Sequence, residues 1–110
     1  MIQDTLQNIQ ARIESLAAMD DAKRRELLRL LDTLKTEVVE LSKTEREHAE
    51  SIARFAEISA HEATRQEKRP ELQRISIEGL STSVEGFEAT HPRLVKIVNS
   101  ICVLLSNLGI

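Results

Sequence analysis

The chain has 110 residues, 41% of them hydrophobic and 30% charged, with a net charge of −3 at pH 7 and no Trp or Tyr. That length fits one domain, and that hydrophobic share excludes a disordered polymer. The acidic balance argues against nucleic acid, whose affinity comes from neutralised phosphates. The basic clusters Lys23-Arg24-Arg25 and Lys68-Arg69 are short and flanked by acids, as solvated helix faces are. Phe55 and Phe87 are the only aromatic side chains besides histidine, so the core must be leucine, isoleucine and valine, the composition of bundles and coiled coils.

Residues 2–17 place Ile2, Leu6, Ile9, Ile13 and Leu16 at alternating spacings of four and three. This predicts a helix with a coiled-coil-like seam over about two heptads. Ala17-Ala18-Met19-Asp20 interrupts the pattern, and Asp20 is a good N-cap for a second helix.

In residues 21–66, Leu27, Leu31, Leu34, Val38 and Leu41 form a second four-three stripe, widened by Leu28 and Leu30. Carried on in register, the seam passes through Glu45, His48, Ile52, Phe55 and Ser59, so it turns polar for one heptad. No Gly or Pro lies between residues 20 and 69, although Ser42-x-x-Glu45 and Thr44-x-x-Glu47 read as capping boxes. The segment is therefore one helix or two with a restart near 43, and the missing breaker favours one. At 1.5 Å per residue a single helix would be about 69 Å long, a rod that needs a partner along its length.

Glu67-Lys68-Arg69-Pro70 is the one plausible linker. Pro70 opens a helix over 71–90 with Leu72, Ile75, Leu80, Val84 and Phe87 on one face. Gly79, Ser83 and Gly86 form a second stripe of small residues, read as a close helix–helix approach rather than a hinge.

His91-Pro92 starts the last helix, over 92–108, with Thr90 or His91 as N-cap. Leu94, Val95, Ile97, Val98, Ile101, Cys102, Leu104, Leu105 and Leu108 form its broad apolar face. Gly109-Ile110 reads as a left-handed cap with Ile110 folding back on Leu105. Cys102 on that face reads as a buried structural thiol.

Phe87-Glu88, His91-Pro92-x-Leu94 and the terminal Leu108-Gly109-Ile110, set on a hydrophobic-rich helix, resemble the C-terminus of a family of small bacterial proteins, the domain of unknown function 4404 family. The resemblance extends more weakly to residues 5–41 and 70–86, and residues 43–68 look like an insertion relative to that pattern. It implies a helical fold and a bacterial origin, and brings no activity, substrate or ligand.

Glu45-x-x-His48 puts a carboxylate and an imidazole on one helix face at the spacing used by carboxylate-bridged di-metal bundles. Glu57 and His61, four apart, lie one face over. Such a site needs more ligands converging from other helices, and a dimer would double the set. A polar layer at Glu45 and His48 would alternatively fix helix register, or the seam simply opens to water there. There is no Ser-His-Asp or Cys-His arrangement, no glycine-rich phosphate loop and no aromatic platform. Capping is the expected role of His91.

Residues 94–110 are too short and too interrupted by Lys96, Asn99 and Asn107 to span a bilayer. No secretory signal is read at the N-terminus, and a cytoplasmic location is expected. Residues 2–17 make a weak membrane-surface helix, with Arg12 as the only base against Asp4 and Glu14.

The fold class expected is all-α, an elongated helical hairpin or bundle with coiled-coil-like seams, completed by oligomerisation. The function expected is that of a non-catalytic structural or protein-interaction protein without cofactors. It self-associates, or docks another protein, through a leucine-rich stripe that the monomer leaves open. The alternative is a metal-binding helical bundle with Glu45 and His48 as ligands across a dimer interface.

Overall fold

The computed structural model describes residues 2–17 and 19–108. These form five helices and no strand: α1 Ile2–Glu14, α2 Asp21–Ser42, α3 Arg46–Thr64, α4 Pro70–Ser83 and α5 Pro92–Leu108. The cap expected at Asp20 is present: its carboxylate accepts the Lys23 N–H at 3.2 Å, satisfying one orphaned donor of the first turn. Pro70 and Pro92 each occupy the first helical position of their helix.

The single helix favoured for residues 21–66 does not form. α2 ends at Ser42, where the backbone N–H of Lys43 donates to the Glu40 carbonyl and those of Thr44 and Glu45 to the Leu41 carbonyl. α3 restarts at Arg46 with Glu45 as N-cap and no side-chain capping bond. The two capping boxes are not used. Ser42 Oγ donates to the Val39 carbonyl at 2.6 Å and Thr44 Oγ1 to the Leu41 carbonyl at 3.5 Å, so both hydroxyls face back into α2. The physical reason for the break lies in burial. Reversing the chain at 43–45 brings Ala49, Ile52, Ala53, Ala56, Ala60 and Ala63 into the common core, whereas a straight rod would leave that face in water.

Side-chain contacts fix the topology. Ser59 Oγ donates to the Ser76 carbonyl at 2.8 Å, and the Phe55 ring lies against Gly79, so α3 and α4 run antiparallel. Gln73 Nε2 reaches the Leu105 carbonyl at 3.0 Å and Cys102 Sγ lies 3.8 Å from the Ile77 carbonyl, so α4 and α5 do too. α5 closes the ring against α2, where Arg93 lies 3.8 Å from Glu37. The result is an up-down-up-down arrangement of α2 to α5, with α1 packed on both α2 and α3. Arg12 Nε donates to Thr64 Oγ1 at 2.8 Å, joining the C-terminal ends of α1 and α3.

α3 contacts all four other helices. It is therefore the hub of the bundle. Its inward alanines let the neighbouring helices approach closely.

The elongated form is not found. The radius of gyration is 13.0 Å and the extents are 38 × 24 × 22 Å, the dimensions of a compact domain of this length. The stripes expected to stay open are closed within one chain. Leu6, Ile13, Leu34, Val38 and Leu41 are completely buried, and Ile9, Leu27 and Leu31 nearly so.

α4 ends at Ser83, short of the expected 90. Tight-turn bonds to the Ser81 and Thr82 carbonyls finish it, and Gly86 follows at φ 96°, a left-handed conformation that costs glycine little. Gly86 thus belongs to the α4–α5 connection and not to a small-residue helix stripe. The closing roles assigned to Gly109 and Ile110 lie outside the described residues.

Candidate functional site

The sequence-derived metal candidates are placed at the end of the bundle where α2 turns into α3. Glu45 is half-buried at the N-cap of α3 and His48 is exposed one turn on. The His48 imidazole meets the Phe87 ring edge to face at 5.5 Å between centroids, and His91 meets the same ring at 5.8 Å. His48 is thus a neighbour of the α4–α5 connection rather than a member of a buried polar layer. Glu57 and His61 are both exposed on α3. Among the described residues no group of three or more His, Cys, Asp or Glu side chains is gathered that could hold a metal ion. A metal at Glu45 and His48 would have to take its remaining ligands from a second molecule.

Cys102 is half-buried rather than fully enclosed. Burial pushes its thiol pKa up to about 11, which disfavours the thiolate that a nucleophile would need.

α4 is the least regular helix by propensity, and a polar ladder fixes it. Gln73 and Ser76 are buried although both are polar. Ser59 on α3 donates to the Ser76 carbonyl, Ser76 Oγ donates to the Gln73 carbonyl at 3.0 Å, and the Gln73 amide donates to Leu105 on α5. With these groups inside, α4 is rotated so that Leu80 and Val84 enter the core while Leu72 and Ile75 leave it. The single apolar face expected for 71–90 is split.

That rotation adds Leu72 and Ile75 to the exposed apolar side chains of α3. Phe55 and Ile58 on α3 are 38% and 48% exposed, and Leu72 and Ile75 on α4 are 40% and 51% exposed. The contacts of Phe55 with Gly79 and of Ser59 with Ser76 set the register of the two helices. At that register the four side chains border the outer side of one α3–α4 seam. A contiguous apolar patch held in water is a candidate interaction surface. Sequence reasoning assigned Phe55 to the buried seam and Leu72 and Ile75 to the buried face of α4. The available signal was the reverse pattern, small or polar Ser59, Gln73 and Ser76 occupying inward positions.

A family model described as a domain of unknown function, that of the domain of unknown function 4404 family, matches residues 27–110. The chain belongs to this family. The family match takes in most of α2 and all of α3, α4 and α5 as described, and α1 lies outside it. No curated protein and no solved structure matches the chain. Among the described residues, no helix is long and apolar enough to cross a membrane.

Proposed function

We propose that this family member is a non-catalytic helical protein-interaction domain of the bacterial cytoplasm that self-associates. The observation that carries the reading is the exposed apolar strip of Phe55, Ile58, Leu72 and Ile75 on the α3–α4 pair. The leucine stripes that first suggested association are consumed by the monomer core, so the docking surface moves to this outer face. A raised thiol pKa at Cys102 and the scattered placement of Glu45, His48, Glu57 and His61 fit a role without bond chemistry. A reducing compartment fits a chain with a single cysteine.

The test is sedimentation velocity over a wide range of protein concentration. The wild type is expected to associate in the micromolar range, and Ile58→Asp to remain monomeric with an unchanged helical spectrum. A wild type that stays monomeric throughout would refute self-association.

A further inference from the structure

We infer that the occupant of the α3–α4 strip is a second copy of this chain, related by a two-fold axis parallel to the two helices; this rests on the interaction reading above. The argument comes from the charges that border the strip. On a helix, each residue is flanked by those three and four positions away. Ile58 therefore has Phe55 and Glu62 on the side toward α4, and Arg54 and His61 on the side toward α1. Ile75 has Leu72 and Gly79 on the side toward α3, and Glu71 and Glu78 on its outer side.

The strip is thus edged by a guanidinium on α3 and by carboxylates on α4. Arg54 is 69% exposed, with only a long contact of 3.9 Å to Glu50. On the other edge Arg74 bridges Glu71 and Glu78, which leaves two carboxylates to one guanidinium. Glu78 is 63% exposed.

A two-fold axis parallel to the helices lays α3 of one copy over α4 of the other and preserves height along the bundle. Apolar strip then meets apolar strip, and each cationic edge meets an acidic one. Height is set by the contacts of Phe55 with Gly79 and of Ser59 with Ser76. They place Arg54 nearly level with Leu80, within about one helical turn of the partner's Glu78. A two-fold axis across the helices would instead set α3 on α3 and α4 on α4, bringing acidic edge to acidic edge. The surface is self-complementary in one arrangement and self-repelling in the other.

The experiment uses the full chain and four variants in sedimentation velocity, with helical content checked by circular dichroism. Arg54→Glu and Glu78→Arg should each weaken association roughly tenfold, because each reversal acts twice across the two-fold. The double variant carrying both changes should regain most of the wild-type affinity. Ile58→Asp should abolish association. Association that Ile58→Asp abolishes but that ignores both charge reversals overturns this arrangement while leaving the interaction face intact. Association that survives Ile58→Asp overturns the face itself. A monomeric wild type whose strip is covered by some other helical protein overturns the choice of occupant and self-association together.

Discussion

The Phe55 ring occupies the space that a side chain at Gly79 would need. A β-carbon built at position 79 falls 2.5 Å from Phe55 Cε1 and 2.6 Å from Cδ1, well inside contact distance. Glycine is unfavourable in a helix interior, so its presence in α4 reflects this approach of ring to backbone. Two opposing effects follow from adding a methyl group. Alanine gains about 1 kcal/mol of helix propensity over glycine, and the ring must swing outward. In a Phe55→Ala background only the first effect remains, so Gly79→Ala should raise stability there by about 1 kcal/mol. In the wild type the same change should gain less or lose, and the difference measured by chemical denaturation is the coupling between the two positions. Equal effects in both backgrounds would show that the ring does not rest on Gly79.

Gln73 should matter more than an ordinary polar helix residue. Its amide is buried and donates to the Leu105 carbonyl in the last turn of α5, tying the two helices together. Gln73→Ala removes a buried hydrogen bond between α4 and α5, at an expected cost of about 1 kcal/mol. Hydrogen exchange should accelerate in the last turn of α5 beyond its global change. An unaltered unfolding midpoint would place Gln73 outside the core.

Arg24 holds the α1–α2 junction. Its guanidinium donates to the Ile13 carbonyl at 3.4 Å, to the Met19 carbonyl at 3.2 Å and to the Leu16 carbonyl, and it pairs with Asp21 at 2.7 Å. The carbonyls at the end of α1 are thus capped from the following helix. Arg24→Met keeps the stem and removes the donors, and should cost on the order of 1 kcal/mol. Limited proteolysis should then begin in 15–20 before any other connection, and a cut elsewhere first would argue against this role.

Cys102 gives a pH signature. Its thiol pKa in the folded chain, about 11, lies above the ordinary value of 9.0 because burial penalises the thiolate. Between those values the unfolded chain has lost a proton that the folded chain keeps. Stability contributed by this group is therefore whole below pH 9 and declines as pH rises toward 11. Cys102→Ala should remove that part of the alkaline decline, which paired denaturation curves at pH 8 and about pH 10.5 would read. In the native protein, labelling of the thiol should be slow at neutral pH and accelerate only in strong alkali.

The helix starts were legible because they are written in single residues: Asp20 as a cap, Pro70 and Pro92 at first turns. The stripes of α1 and α2 were legible because their spacing leaves one solution for burial. The turn at 43–45 was not. It contains no breaker, and the hydroxyls that mimic capping boxes bond backward into α2. Nor was the orientation of α4. Leu72 and Ile75 outrank Gln73 and Ser76 in hydrophobicity, and the polar pair can lie inside because the Gln73 amide finds the Leu105 carbonyl of α5 and the Ser76 hydroxyl the Gln73 carbonyl of its own helix. The α4 half of the candidate interaction strip was misread for the same reason, since Leu72 and Ile75 are the residues which that exchange turns outward.

The alanine-lined inner side of α3 divides the chain into positions that bear on folding and positions free to change. At Ala49, Ala53, Ala56, Ala60 and Ala63 even one added methylene presses on neighbouring helices, and through α3 on the whole bundle. Half a turn away the same helix presents Arg54, Ile58 and His61 to water, where substitution leaves packing alone. A single helix therefore carries a side whose shape is fixed by packing and an adjustable side. What the bundle touches can be changed through the outer residues of α3 without altering how it folds.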